Sequence, residues 1–156
     1  MNADFRIVTG RDPLGPIGPS CAIDEVQIVD AQVEFVDMPE EFVDIANWAI
    51  ALFDEAGLRL PPMRFVHHGD DRTRCNGRRG THRHVDGHST IDICTSDLGN
   101  VTAVLVVHET AHAWSAHDLS DERKADFQAL RGWTYWRDHQ RAGWHENGSE
   151  QAAEIM

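Results

Sequence analysis

His108-Glu109-Thr110-Ala111-His112 is the segment of this 156-residue chain whose residue types and spacing could do chemistry. Residues four apart on an α-helix share a face, one turn above the other. His108 and His112 can therefore turn imidazole nitrogens toward one tetrahedral zinc ion. Glu109 falls about a hundred degrees round the helix, near enough to reach a water beside the metal without ligating it. Zinc in such a place polarises a carbonyl and makes water more acidic, while the glutamate takes the water's proton and passes it to a leaving amine. The chemistry implied is hydrolysis of a peptide bond. Ten His and ten Glu make this pattern arise by chance in roughly one such sequence in twenty-five, so its surroundings decide. They favour a helix that Ala113 and Trp114 continue and that Val101 to Val107 bury. Two histidines and a carboxylate are costly to bury without partners or a metal.

The pattern resembles the zincin superfamily of metallopeptidases, over about Ile28 to His117. That resemblance implies an α+β domain in which a short mixed sheet with an edge strand packs over a central active-site helix. It also implies that an extended substrate pairs with the edge strand, for which Thr90 to Cys94 is the candidate. The third metal ligand separates the subclasses. Metzincins continue as His-Glu-x-x-His-x-x-Gly-x-x-His, whereas Ser115 and Asp118 occupy the last two of those positions here and His117 comes one residue early. Peptide deformylases take a cysteine from Glu-Gly-Cys-Leu-Ser, and neither Cys75 nor Cys94 lies in such a sequence. Downstream, Ser149-Glu150-Gln151-Ala152-Ala153-Glu154 resembles the Glu-x-x-Ala-Glu helix of gluzincins of the anthrax lethal factor type. This likeness implies that Glu150 completes the zinc site and that Glu154 is a supporting carboxylate. Two alternatives stay open: Glu150 as a capping-box residue behind Asn147, and His117 or Asp121 as the third ligand after a sharp turn past Ala116. Tyr135, the single tyrosine, and His145 are candidates to donate to a developing oxyanion, because both precede Glu150 in an irregular segment. Partial burial among Trp133, Trp136 and Trp144 explains Tyr135 equally well.

The elements that must position these residues can be read from periodicity. β-Branched and aromatic residues predict a strand over Val26 to Phe35. Asp37, Pro39 and Glu40 have the form of a helix start, and Phe42, Ile45, Ala46, Ala49, Leu52, Phe53 and Ala56 recur at helical spacing up to a terminating Gly57. Pro61-Pro62 resets the chain before a strand over Met63 to His67. Residues 67–88 read as a long polar loop or hairpin, which either stays solvated or shapes a substrate cleft. Within it His84 and His88 are four apart, but Gly87 opposes the helix that a second metal site there would need. Thr90 to Cys94 reads as a short strand with Ile91 and Ile93 on one side. Asn100 can cap a helix running from Val101 to about His117, apolar nearly all round and hence central. Leu119-Ser120 ends it, and a helix from Asp121 to Leu130 follows. Gly132 to Gly148 is irregular, and a last helix begins near Ser149.

Composition narrows the partners. One domain fits the length: an irregular arm over residues 1–22, with Pro13, Pro16 and Pro19, precedes a catalytic domain over 23–156. A net charge of -12 repels phosphate backbones and anionic membrane surfaces, so neither nucleic acid nor membrane is an expected partner; a peptide or protein substrate is. The one basic concentration, Arg72, Arg74, Arg78, Arg79 and Arg83, lacks interleaved aromatics and reads as a solvated loop. The N-terminus lacks a basic then apolar signal pattern. Of Cys21, Cys75 and Cys94, the last two flank the His- and Arg-rich loop. Joined, they would close it and imply an oxidising compartment; both can also be free thiols. A function of another class is a zinc-binding interaction module that cleaves nothing, closed by a fourth ligand such as His117 or His145. The intact Glu109 argues against it.

Overall fold

The computed structural model describes residues 32–137, 140–141 and 143–155. The expected N-terminal arm, Cys21 and the first part of the expected first strand lie outside them. The chain is α+β. In chain order strand β1 (Val33–Val36) and helix α1 (Glu40–Glu55) are followed by strands β2 (Met63–His67), β3 (Gly80–Val85) and β4 (His88–Ile93), then by helices α2 (Asn100–Asp118), α3 (Asp121–Arg131) and α4 (Gly148–Ile155). They form one sheet in the order β1-β2-β4-β3. β1, β2 and β4 run parallel, and β3 returns antiparallel to β4.

Alternation along β2 explains the layering. Met63 and Phe65 are buried while Arg64 is exposed, and the register sets Phe65 beside Ile91 and His67 beside Ile93. These residues therefore share one face. They pack with Phe42, Ala46 and Ala49 of α1 and Val106 and Ala113 of α2 in a single core, so both helices cover that face. The other side is wetter: Arg64 meets Glu34 of its neighbour strand at 3.4 Å, as the register requires.

Three local expectations need correction. The edge strand beside the cleft is β3, with β1 at the other edge, and not Thr90 to Cys94. β4 is paired on both flanks, which is why Ile91 and Ile93 are fully buried. Asp37 does not cap α1: it takes a left-handed backbone (φ 52°), and the Pro39 carbonyl starts the helix by accepting from Phe42 and Val43 N–H. Nor does Asn100 cap α2. It is the first helical residue behind Gly99, and Asp97 organises the turn by accepting from Gly99 N–H at 3.0 Å. α2 is also less enclosed than its composition suggests, with Val101 and Val104 58% and 65% exposed. That side of the helix faces a cleft and not a neighbouring element.

The helix ends follow local chemistry. Gly57 (φ 69°) supplies the left-handed residue that lets Leu58 N–H reach the Phe53 carbonyl after α1. Ser120 caps α3 by accepting from Arg123 N–H. A disulfide joins Cys75 to Cys94, tying the polar loop before β3 to the end of β4.

Candidate metal centre

The two histidines are set by α2. Their rings lie edge to face with centroids 4.6 Å apart, and Nε2 of His112 stands 3.1 Å from Nε2 of His108. Glu150 arrives from α4, 42 residues beyond His108 in the chain. Its Oε2 lies 3.2 Å from each Nε2. Three ligand-type atoms therefore make a nearly equilateral triangle with edges of 3.1, 3.2 and 3.2 Å. A tetrahedral zinc with bonds of about 2.0–2.1 Å separates its ligand atoms by about 3.3–3.4 Å. The donor set and its spacing thus fit zinc. Among the described residues, His108, His112 and Glu150 are the group of His, Cys, Asp and Glu that could hold a metal ion.

Glu150 is in place because α4 is held by its entry. Gly148 N–H donates to the Tyr135 carbonyl and Ser149 N–H to that of Trp136. The Ser149 hydroxyl donates to Asn147 Oδ1 at 2.9 Å, and Ala152 and Ala153 are buried. Gly148 permits the close approach: a Cβ there would stand 2.9 Å from Trp136 Cε3 and 3.2 Å from the Tyr135 carbonyl oxygen. Gly148→Ala should therefore displace α4 and with it Glu150. The expected result is at least about a tenfold loss of zinc affinity, read by competition with a chromogenic chelator. Unchanged affinity would mean that α4 accommodates the methyl group without moving its carboxylate.

Around the triangle, Glu154 Oε1 lies 3.5 Å from His108 Nδ1, where a carboxylate can orient a ligating imidazole. His82 of β3 stacks on His112 with centroids 6.1 Å apart, and its Nε2 pairs with Ser89 Oγ at 3.0 Å. Trp144 stacks on His108 at 6.3 Å. Glu109 is buried, 7% exposed, and lies against the edge strand: a Cβ on Gly80 would come within 3.3 Å of its Oε1. His108, Glu109, His112 and Glu150 all line one cleft of about 1000 Å³.

Burial and charge tune these groups in opposite directions. Burial alone would lift the Glu150 carboxyl, but hydrogen bonds and charge from His108 and His112 outweigh it and hold the group well below the usual range. Burial works against a charged His108, yet Glu150, Glu109 and Glu154 together raise its value. Burial raises Glu109, with His112, His108 and Arg78 pulling the other way. Burial, aided by His112, Arg137 and His84, lowers His82 to about 3, so its ring is neutral at ordinary pH.

A pH prediction for the metal-free protein follows from these directions. A depressed Glu150 gives stability above its ordinary 4.5 that is lost as pH falls. A raised His108 gives stability below its ordinary 6.5 that is lost as pH rises through its folded value. His82 and Glu109 act against each other between those limits, because a depressed base favours folding at higher pH and a raised acid at lower pH. Thermal melts in chelator should show a broad optimum between 4.5 and 6.5. With zinc the trend should reverse above that window, since metal binding requires deprotonated ligands. Parallel curves with and without zinc would contradict this.

Other candidate residues fall elsewhere. Tyr135 makes a backbone bridge to Asn147, and His145 is exposed against Trp144; the structure brings neither into the lining of the cleft. His117 lies against the ring of His84 at 6.3 Å, and Asp121 pairs with Lys124. His84 and His88 sit on the two strands of a hairpin, bonded to Ser89 Oγ and the Asp86 carbonyl respectively. Gly80, His82, Arg137 and Trp144 are cleft residues that the sequence reading did not single out. The alternation of His82 and His84 with Thr81 and Arg83 was the one available signal for a strand there. Comparison of the chain with protein-family models, with curated proteins and with solved structures finds no match among any of them. No helix among the described residues is long and apolar enough to cross a membrane.

Proposed function

We propose that this protein is a small zinc-dependent peptidase of the zincin kind, with His108, His112 and Glu150 as the metal ligands and Glu109 as general base. The observation that carries the reading is the triangle of two imidazole nitrogens and one carboxylate oxygen at tetrahedral spacing, set in an open cleft beside a buried glutamate. Zinc held there supplies a Lewis acid that polarises a carbonyl and makes water more acidic. Glu109 then accepts the water's proton and delivers it to the departing amine; its burial, which raises its proton affinity, suits that work. Glu154 stands 3.5 Å from the far nitrogen of His108, which makes no hydrogen bond among the described residues and is placed to donate one toward that carboxylate, and His82 stacks on His112. Three candidate ligands among the described residues, beside a cleft, support an enzyme over a closed structural site. The Cys75–Cys94 disulfide supports an extracytoplasmic setting.

Elemental mass spectrometry of protein purified without added metal or chelator tests the site. The expected content is close to one zinc per chain, accompanied by cleavage in peptide libraries. Protein that neither carries zinc nor takes it up would overturn the proposal.

A further inference from the structure

The chain carries a net charge of -12 with only 14 lysines and arginines, yet five arginines line this one cleft: Arg74, Arg78, Arg79, Arg83 and Arg137. Four of them come from the segment tied down by the disulfide and from β3; Arg137 comes from the segment before α4. The carboxylates of the cleft do not balance them. Glu150 is taken up by His108 and His112, and Glu154 stands beside His108. Asp92 is shared by His68 at 2.8 Å and Arg83 at 2.9 Å. Arg79 and Arg74 reach Asp97 and Asp71 only at 3.9 and 4.0 Å. Glu109 also lines the cleft and feels the charge of Arg78, which makes four lining carboxylates for five arginines; Arg137 makes no ion pair among the described residues. The same cleft is also lined by apolar residues, Val101, Val104 and Leu105 of α2, with Trp144.

Resting on the peptidase reading of the same site, we propose that the cleft selects acidic polypeptide segments that present an apolar side chain to the α2 wall. A positive field confined to one cleft in an otherwise negative molecule attracts an anionic ligand there and repels it everywhere else. A nucleic acid is the poorer occupant. Its phosphates would contact the negative surface beyond the cleft, and the apolar wall offers exposed valines, with Trp144 as the single aromatic surface for stacking a base. A peptide chain can carry charged and apolar side chains together, as a lining of arginines and valines requires.

Binding separates this proposal from hydrolysis. Labelled peptides of equal length, one rich in Glu and Asp around a leucine, one neutral and one lysine-rich, would be titrated by fluorescence anisotropy into zinc-loaded Glu109→Gln protein. A single-stranded oligonucleotide of matched charge would be titrated alongside. The acidic peptide should bind about tenfold or more tighter than the neutral one, and the difference should shrink at high salt. It should also shrink in Arg74→Ala/Arg78→Ala protein and, on a separate segment, in Arg137→Ala, each checked for unchanged zinc content and melting. Equal binding of all peptides, a preference that survives the arginine substitutions, or tighter binding of the oligonucleotide would overturn it. Cleavage by the wild type without charge preference would overturn this inference and leave the peptidase reading intact. Charge-selective binding without cleavage would do the reverse.

Discussion

Glu109→Gln should abolish hydrolysis, lowering kcat by about 10²–10⁴-fold, while zinc content stays at the wild-type level. The amide has the shape of the carboxylate and should fit beneath Gly80, where the space is tight, but it cannot take up a proton. A second readout sharpens the assignment. Because burial raises the Glu109 value, its ionised form is costly at neutral pH, and the variant should melt no lower than the wild type and preferably higher. Loss of activity with a gain in stability marks a residue kept for chemistry. A variant that loses its metal, or that retains full activity, would remove Glu109 from the mechanism.

Glu150→Ala should weaken zinc binding by more than about a hundredfold. Substitution of an outer-sphere partner of a metal ligand already costs about 10–100-fold, and a ligand removed outright costs more. In the metal-free protein the same change deletes the acceptor shared by two nearly buried histidines, so the chelator-treated variant should also lose the stability that the wild type gains between 4.5 and 6.5. Isothermal titration with zinc and melts in chelator read the two effects separately. Wild-type zinc affinity in Glu150→Ala would point to a different third ligand.

Much of this centre was legible because its parts are local. The spacing of His108, Glu109 and His112 fixes their relation on any helix, and Pro61-Pro62 with Gly57 marks where α1 ends and β2 begins, so β2 falls on the expected Met63 to His67. Glu150 is distant in sequence and could be named only through a likeness to a known motif. The geometry that supports it depends on a backbone bridge between Tyr135 and Asn147, which no periodicity announces. The edge strand was misplaced for a physical reason. β4 shows the apolar alternation of a strand, while β3, reading Gly-Thr-His-Arg-His-Val, carries its polar residues because it borders a cleft. The arginines likewise look like a solvated loop until the disulfide and the hairpin bring four of them to one cleft. The Tyr135 carbonyl accepts from Gly148 N–H, a backbone role that its residue type does not announce.

The mode of attachment of α4 has a consequence for how the molecule would wear. The described side chains that this helix buries are two alanines, Ala152 and Ala153, with Ser149 and Glu150, and alanines bring little apolar area to hold it down. Its place beside α2 therefore rests on the bonds at its entry and on those that Glu150 makes. On the proposed reading, metal held by Glu150 would act as a clasp between two helices whose ligands lie 42 residues apart in the chain. Stripping such a metal would loosen the clasp at α4, so the metal-free molecule should be cleaved by an added protease sooner than the loaded one.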